Sequence, residues 1–426
     1  MKLAKVSLFS SKREFFLLLF VSLFILIYST LIEFNNFKIL TRFDSHIVTA
    51  TVVKQYTKTK LTKKGKTKTY QVLKLKAENG FNFYTSSKKS FPDSKGKKVK
   101  LELYAGEISF YEYLTGFYAY SRIIRAYKSL SLKQNLNSYI ESSHTNQNIA
   151  NIYQALYLAS PLNYELQTTF STLGVSHLLA ISGFHLGVLS ALLFFLLKYP
   201  YRFFQDRYFP YRNSKTDLFL IVSSVLLLYL LFLDSPASLL RAFVMLVIGF
   251  TLYDRGIKII SMQTLLLTAI LLLSFFPRLF FSLGFFLSMA GVFYIFLFLI
   301  YFKHLSKLIQ FILVPIWVYI LMLPYSIVIF GAFSIYHPLS IIWTSLFTLF
   351  YPLSIFLHLI GFGYLLDSLL ESFIALGDFT THIELSFNYL ILQILLSLLS
   401  VYKKNFLWLL MLYNIMFLIY AIYQVT

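Results

Sequence analysis

Long apolar runs separated by short polar connections make up most of the chain. The first run covers residues 15–32, and nearly continuous runs begin again after Ser176. A helix needs roughly 20 residues to cross a bilayer, and most of these runs come close to that length. The later runs are centred on residues 178–198, 217–233, 236–253, 259–276, 279–302, 308–331, 338–362, 386–401 and 405–422. The pattern predicts a polytopic α-helical membrane protein with about 10–11 transmembrane helices. The number is eleven if a shorter run at residues 363–376 is included.

A different pattern, with apolar and polar residues alternating, lies between His46 and Tyr104. Alternation of this kind is typical of strands with one buried face. The alternating segments are residues 47–53, 70–75, 81–84 and 99–103. They predict a small β-barrel over residues 40–106, and an OB-like barrel is the common type at that size. Residues 1–34 are then the N-terminal membrane anchor.

Two amphipathic segments connect the predicted barrel to the later apolar runs. From Phe110 to Leu130 aromatic residues recur at helical spacing with cations between them, and a second segment runs from Ile152 to Phe170. Neither segment is apolar enough to span a membrane. We interpret residues 107–175 as amphipathic interfacial helices and residues 176–426 as the polytopic domain.

The charge distribution predicts the orientation of these segments. Four cations precede the first span, at Lys2, Lys5, Lys12 and Arg13. Because cytoplasmic loops are enriched in Lys and Arg, we expect a cytoplasmic N-terminus and an extracytoplasmic barrel. Over the whole chain 38 basic residues face 18 acidic ones, an excess that favours anionic lipid or a polyanion as a partner.

Composition also excludes several classes of enzyme. The chain has no cysteine, so thiolate catalysis and Cys-based metal sites are excluded. Its eight histidines do not form the clustered pattern of a dinuclear metal site, and no Walker-type phosphate loop is present. We therefore expect no cofactor, no resident metal and no catalytic residue.

Lysine is concentrated in the predicted barrel. One interpretation is a solvated surface. The other is a face that binds a polyanion, with aromatic side chains at Tyr56, Tyr70, Phe81, Phe83 and Tyr84 for base stacking. The candidate DNA-binding lysines are Lys58, Lys60, Lys63, Lys64, Lys66, Lys68, Lys88, Lys89, Lys97 and Lys98.

Polar residues gather in residues 174–187, where the second span begins. This segment holds two histidines, two serines and three glycines. Polar groups at membrane depth are costly unless they face protein or water, so they mark a candidate pathway. The candidates are His177, Ser182, Gly183 and His185. The alternative is that His177 caps the helix at the interface and that the glycines only permit close packing.

Residues 177–185 read His-Leu-Leu-Ala-Ile-Ser-Gly-Phe-His, which closely resembles the signature of the ComEC competence family. Members of this family are inner-membrane channels of natural transformation. Weaker resemblances follow the same order along the chain. They lie at residues 154–156 with Phe170 and Gly174, at residues 235–245, and at residues 284–288.

The chain also departs from the family pattern. Ser282 and Phe286 stand where members usually carry Asp and Gln, and the Gly-Asp pair expected near Ala159 and Ser160 is replaced. The C-terminal nuclease-like domain that many members carry is not apparent in the sequence. The resemblance therefore implies a short form without its own nuclease.

The resemblance implies a channel that passes single-stranded DNA. Its expected partners are a periplasmic DNA receptor and a cytoplasmic motor or single-strand-binding protein. Arg241 stands at the start of an apolar run, where its guanidinium group could bind phosphate oxygens in the DNA path. Alternatively, Arg241 extends to the outer interface or pairs with Asp234.

Two other functions compete with the channel. An ion-coupled transporter of small solutes would need acidic groups within the spans, whereas Asp234, Asp367 and Glu371 lie near span ends. An intramembrane metalloenzyme would use His177 and His185. Eight residues of helix separate these two by about 12 Å, too far to bind one ion unless the helix unwinds.

Overall fold

The computed structural model describes residues 8, 11–61, 67–92, 94–127, 132–179, 181–378, 381–383 and 385–424. Lys63, Lys64 and Lys66 of the predicted barrel lie outside the described residues, and so does the side chain of Lys68. The chain divides into two compact units. The sheet unit comprises Lys12–Tyr139 and Ile270–Ser282, and the helical unit is built from Ile140–Ala269 and Leu283–Thr426.

The sheet unit begins with a long helix and continues into six strands. Helix α1 (Lys12–Thr41) contains the first apolar run, residues 15–32 of the predicted anchor. The later elements are β1 (His46–Leu61), β2 (Thr67–Ala77), β3 (Asn82–Ser87), β4 (Lys98–Tyr104), α2 (Phe110–Thr115), β5 (Phe117–Tyr118), β6 (Tyr120–Ala126) and α3 (Leu132–Ser143). The strands form one sheet in the order β5-β3-β2-β1-β4-β6.

Alternation of side chains gives this sheet a single buried face. In β4, Val99, Leu101 and Leu103 are fully buried, whereas the residues between them are not. The small β domain predicted from the alternation is therefore present. A closed barrel is not observed in the strand pairing, because the edge strands β5 and β6 pair with β3 and β4 and not with each other. The two edge strands, β5 and β6, nevertheless follow one another directly in the chain.

The prediction of an interfacial helix from Phe110 to Leu130 is wrong for most of its length. Helix α2 ends after six residues, at Gly116, whose φ of 110° lies in the region that only glycine adopts easily. The chain then enters β5 and β6. Residues 120–126 also carry a two-residue alternation, with Ser121 buried between exposed neighbours, and pairing with β4 selects the strand over the helix.

A small polar cluster connects three segments of the sheet unit. Arg278, in a 3-10 turn (Pro277–Phe281), donates from Nη2 to Glu33 Oε2 over 2.7 Å and to Tyr113 Oη over 3.0 Å. The Tyr113 hydroxyl also donates to Glu33 over 3.3 Å. Burial raises the pKa of Tyr113 to about 12. The cluster ties α1, α2 and the turn together.

The remaining chain is almost entirely helical. A two-residue ladder pairs β7 (Ala332–Phe333) with β8 (Thr381–His382). The helices after α3 are α4 (Gln147–Leu158), α5 (Tyr164–Thr172), α6 (Ser176–Leu179), α7 (Gly183–Tyr208), α8 (Ser214–Phe232), α9 (Ala237–Asp254), α10 (Met262–Phe275), α11 (Leu283–Tyr301), α12 (Lys307–Phe330), α13 (Ser340–Leu359), α14 (Asp367–Ala375), α15 (Asn388–Tyr402) and α16 (Lys404–Tyr423).

Eight helices among the described residues are long and apolar enough to cross a membrane. They are α1, α7, α8, α9, α11, α12, α13 with the turn before it, and α16. Helices α10 and α15 are apolar but shorter. The expected run at residues 363–376 is not a span, because α14 has nine residues and is about 14 Å long against a hydrocarbon core of about 30 Å.

Hydrogen bonds between buried polar side chains join four of these helices. Gln393 of α15 donates to Tyr294 Oη of α11 over 3.0 Å and to the Leu321 carbonyl of α12 over 2.9 Å. Asn414 of α16 donates to Gln393 Oε1 over 2.9 Å. Such bonds hold apolar helices in one register, because lipid and Leu side chains do not discriminate between packings.

Candidate functional site

The polar segment of residues 174–187 forms a break between two helices. Helix α6 ends at Leu179, and α7 begins at Gly183. We expected one continuous span from residue 178, so the interruption is a finding of the structure. Ser182 caps α7, since its Oγ accepts from the Phe184 amide over 3.3 Å. His185 Nδ1 in turn accepts from the Ser182 amide over 3.2 Å.

Helix α9 holds the unwound chain at this break. Ser238, in the first turn of α9, donates from Oγ to the Ile181 carbonyl over 2.6 Å. A backbone carbonyl outside regular structure would otherwise lack a partner inside an apolar bundle. The contact therefore places the first turn of α9 beside the first turn of α7.

Arg241 lies in that first part of α9 and is buried, with 4% of its surface exposed. Its Nη1 lies 3.5 Å from Met245 Sδ, a weak acceptor, and its Nε has no hydrogen-bond partner. Among the described residues no carboxylate lies within ion-pair distance of this guanidinium group. The predicted pairing with Asp234 is accordingly not seen, and neither is extension of the side chain to an exposed surface.

The guanidinium group lies against the first residue of α7. A β-carbon added to Gly183 would lie 3.3 Å from Arg241 Nη2 and 3.1 Å from the Ala242 β-carbon. Glycine at this position thus lets the cation approach the helix N-terminus. The N-terminus of a helix carries partial positive charge, so two positive groups face the same place with no negative group among the described residues.

Another arginine of the helical unit shows the ordinary arrangement. Arg212 binds Asp217 with two hydrogen bonds of 2.7 Å each, from Nε and Nη2. The hydrogen bonds to Asp217 raise the pKa of Arg212. Arg241, in contrast, has no such carboxylate partner among the described residues.

The two predicted histidines occupy different surroundings. His185 is 1% exposed, and its ring packs edge-on against Tyr351 and Phe347 of α13. His177 is exposed, and its Nε2 lies 3.3 Å from Thr344 Oγ1. His185 therefore supports the break from within, whereas His177 lies at the surface of the helical unit.

Gly174, just before α6, makes a close contact that the sequence did not reveal. Its φ is 71°, and an added β-carbon would lie 2.6 Å from Cε1 of His337. His337 is buried, and its Nδ1 lies 3.2 Å from the Tyr319 hydroxyl. The glycine is required both by its backbone conformation and by the imidazole ring that covers it.

The sheet unit displays lysines and tyrosines on one face of the β1–β2 hairpin. Alternate residues of β1 share a face, and opposite residues of paired strands share it too. Lys58 lies opposite Tyr70, and Lys54 opposite Lys74. We call this set the lysine face: Lys54, Tyr56, Lys58, Lys60, Tyr70 and Lys74.

Most of the predicted DNA-binding lysines that the structure describes are accessible. Lys58, Lys60, Lys88 and Lys89 are exposed, and Lys97 is half-buried. Lys98 is exposed but pairs with Glu78 over 3.0 Å. Lys68 lies opposite Lys60 in the backbone register.

Two of the aromatic residues expected to stack on bases do not belong to this surface. Phe81 and Phe83 are 3% and 0% exposed and pack in the core of the sheet unit. Successive residues of a strand point to opposite faces of the sheet. Phe83 points to the face that carries the core residues Val99 and Leu101, and its neighbour Tyr84 points to the other face. Tyr56, at 40% exposure, remains available.

Sequence reasoning missed a buried cluster formed by His144, His358 and Asp367. His144 bonds to both other residues, which lie 214 and 223 residues away in the chain. Asp367 was considered only as an acidic group at a span end. No local pattern could have joined three residues on separate segments.

Comparison with known proteins places these residues in a family. A family model described as competence protein matches residues 159–426, more than half of the chain. The match includes the helix break, Arg241 and His358, and it does not include the sheet. No match is found among curated proteins or among solved structures.

Proposed function

Because this chain belongs to the competence protein family, we propose that it forms the inner-membrane channel that carries single-stranded DNA into the cytoplasm during natural transformation. Membership supports a role in DNA uptake, and eight apolar helices fit a multi-pass membrane protein. The transported strand, its direction and the residues below are our proposal.

The observation that carries the proposal is the buried guanidinium group of Arg241 at the start of α7, which has no ion-pair partner among the described residues and whose Nε has no hydrogen-bond partner. Taking a charge out of water costs several kcal/mol, and a folded protein keeps such a charge where an anion compensates it. A DNA phosphate is an anion of suitable shape, since guanidinium binds two phosphate oxygens through parallel hydrogen bonds.

Transport requires that each phosphate bind and then leave. The α7 N-terminus and Arg241 offer a cationic position inside apolar surroundings, and Gly183 lets the guanidinium group approach that N-terminus closely. Passage then consists of successive phosphates exchanging at this position. His177 and Ser182 stay in the proposal as residues along the path, and His185 as the residue that orients the break.

The lysine face is proposed to gather DNA before it enters. Lysines there alternate with tyrosines, and Lys54 Nζ lies 5.9 Å from the centre of the Tyr56 ring. A cationic groove with aromatic rings is the usual means of binding single strands without sequence preference. We propose that this sheet binds single-stranded DNA as OB-like domains do and that it lies in the periplasm.

The proposed channel is passive. A periplasmic receptor would deliver the strand, and a cytoplasmic motor or single-strand-binding protein would draw it in. The competing transporter hypothesis needs free acidic groups within the spans. Asp217 of α8 is bound by Arg212, and Asp367 begins α14, which is too short to span. For the metalloenzyme hypothesis, the described residues contain no group of three potential ligands that could hold a metal ion.

The first test is genetic. Deleting the gene should abolish transformation while DNA still reaches the periplasm. Labelled DNA that enters the cytoplasm of the deletion strain would overturn the proposal.

The second test replaces the arginine. Hydrogen bonds to charged groups are worth about 1.5–3 kcal/mol, so Arg241→Met should lower uptake into the cytoplasm about tenfold to a hundredfold. Arg241→Lys should recover part of the loss, because it restores the charge without the fork. The control is Arg202→Met, at an exposed arginine paired with Asp206. Normal uptake in Arg241→Met, with normal protein levels in the membrane, would contradict the assigned role.

A further inference from the structure

His144 and His358 face each other inside the helical unit, away from the helix break. Their Nε2 atoms lie 3.0 Å apart. At the outer ends, His144 Nδ1 lies 2.9 Å from Asp367 Oδ1, and His358 Nδ1 lies 2.7 Å from the Ser354 carbonyl oxygen. Three contacts of hydrogen-bond length therefore form one line from a carboxylate, through two imidazole rings, to a backbone carbonyl.

The two ends of this line determine how many protons it holds. A carbonyl oxygen and an ionised carboxylate only accept, so both Nδ1 atoms must carry a hydrogen. The contact between the two Nε2 atoms needs one more hydrogen, on either ring. Three protons are required, and two neutral imidazoles supply only two. This geometry is satisfied by one proton more than two neutral imidazoles supply.

Asp367 is positioned to balance the charge of that additional proton. Its side chain is 16% exposed, and the His144 side chain is fully buried. The other titratable groups around the pair are tyrosines: the Tyr153 ring stacks on His144 with a centroid distance of 4.7 Å, and the Tyr157 hydroxyl lies 3.3 Å from His358 Nδ1. Neither hydroxyl supplies a second cation or anion at neutral pH.

Two carboxylates on neighbouring segments have partners of their own. Glu371, one turn after Asp367, accepts a hydrogen bond of 2.8 Å from Asn146, which caps α4. Gln147 binds Glu141 of α3 over 3.1 Å. A 3-10 turn (Gly363–Leu366) follows α13, the helix that carries His358. The backbone of Gly363 lies against the His358 ring, since a β-carbon added to Gly363 would be 2.9 Å from that ring.

We propose that this histidine pair is a buried proton-binding site, which holds one shared proton between His144 and His358 and so locks three segments together. The segments are the connection between α3 and α4, the end of α13, and the first residue of α14. Loss of the proton removes one hydrogen bond from the line and leaves Asp367 without its cation.

The lock is connected to the helix break through α13. Tyr351 and Phe347, which hold the His185 ring, lie on the same helix as His358. A change in the position of α13 would therefore reach the start of α7. The inference goes beyond the proposed DNA channel and stands on different residues.

The test measures the pH dependence of stability in the purified full-length protein. The two histidines of an unfolded chain are mostly neutral above pH about 6.5, so the folded protein binds the extra proton and its stability falls as pH rises. We expect the Tm of the natural protein to fall as pH rises above about 6.5, where free histidine has lost its proton. Asp367→Asn should flatten that fall, because the amide still accepts from Nδ1 but no longer balances a cation.

The matched control is His304→Asn, at an exposed histidine, which should leave the fall in Tm unchanged. Equal pH dependence in the natural protein and Asp367→Asn would overturn the proposal. Because a poorly folded variant could obscure the result, the natural protein labelled with ¹⁵N-histidine provides a second measurement at pH 7.5.

That measurement counts ring nitrogens without a hydrogen. A pair with a shared proton has one such nitrogen, and a neutral pair has two; two would overturn the proposal. Metal analysis distinguishes the remaining possibility, because imidazoles whose Nδ1 atoms bond to acceptors can also converge on a metal ion. If the protein contains one equivalent of metal and its removal lowers the Tm, the site binds a metal ion and the proposal of a shared proton is overturned. None of these measurements involves DNA uptake, so their failure would leave the proposed function untouched.

Discussion

Nη2 of Arg241 lies 3.3 Å from the position that a β-carbon on Gly183 would occupy. The contact joins the only cation at the helix break to the first residue of α7, among the residues that the structure describes. A larger residue at position 183 would push the guanidinium group away from the helix N-terminus. The positions of the glycine and the arginine thus depend on each other, and the contact can be tested at either residue.

The glycine is tested by comparing Gly183→Ala with Gly187→Ala. Alanine is preferred to glycine inside a helix by about 1 kcal/mol, and Gly187 has nothing within 4 Å of an added β-carbon, so Gly187→Ala should be neutral or stabilising. Gly183→Ala forces a contact of 3.1 Å with Ala242 and should cost about 1–3 kcal/mol and lower DNA uptake. Thermal unfolding and transformation frequency measure the two effects. Equal behaviour of both variants would contradict the contact.

The ring that covers Gly174 gives a second matched pair. Gly174 and Gly256 have φ values of 71° and 70°, so alanine is equally strained at both positions. Only Gly174 faces a side chain, His337, whereas Gly256 has open space. Gly174→Ala should therefore be more destabilising than Gly256→Ala by about 1–3 kcal/mol in chemical unfolding. Adding His337→Ala should recover part of that difference, and strict additivity would show that the ring is not the cause.

The lysine face is tested by charge reversal. Each phosphate contact on a single strand contributes about 0.7 to the slope of log affinity against log salt. Lys58→Glu with Lys60→Glu should weaken binding of single-stranded DNA by the full-length protein and reduce that slope. The control is Lys403→Glu with Lys404→Glu, which changes net charge equally at two exposed lysines of the helical unit. Equal loss in both double variants would assign the effect to net charge alone.

Tyr113 should make the sheet unit sensitive to alkaline pH. Burial raises its pKa to about 12, whereas the unfolded chain ionises tyrosine near the ordinary value of 10. The stabilisation is fully present below pH 10 and is lost as pH rises towards 12, because the unfolded state then releases a proton that the folded state retains. Tm values between pH 9 and 12 should fall less steeply in Tyr113→Phe. The exposed Tyr402→Phe should behave as the natural protein does.

Local pattern predicted most of the secondary structure. Ten of the eleven expected apolar runs coincide with helices, because a helix in lipid must satisfy its own backbone hydrogen bonds and so requires a continuous apolar stretch. The exceptions are informative. The run at residues 363–376 is interrupted by a turn ending at Leu366, and residues 120–126 become β6 because β4 offers a partner strand. Both outcomes depend on neighbours that are distant in sequence.

The candidate site was only partly predictable. His177, Ser182, Gly183, His185 and Arg241 could be selected because polar residues are conspicuous in apolar sequence. The burial of His185 against Tyr351 could not be predicted, because it depends on how α13 packs on α7. The covering of Gly174 by His337 was equally inaccessible.

The sequence by itself determined that this is a helical protein with apolar runs of membrane-spanning length, a small lysine-rich β domain and an arginine in apolar surroundings. Those properties follow from composition and from periods of two or 3.6 residues, which are local. Only the tertiary structure decided that Arg241 meets Gly183 without a carboxylate, and that His144 meets Asp367 across 223 residues. The reason is physical: the charge state and partners of a buried group depend on which helices surround it, and no local period encodes that arrangement.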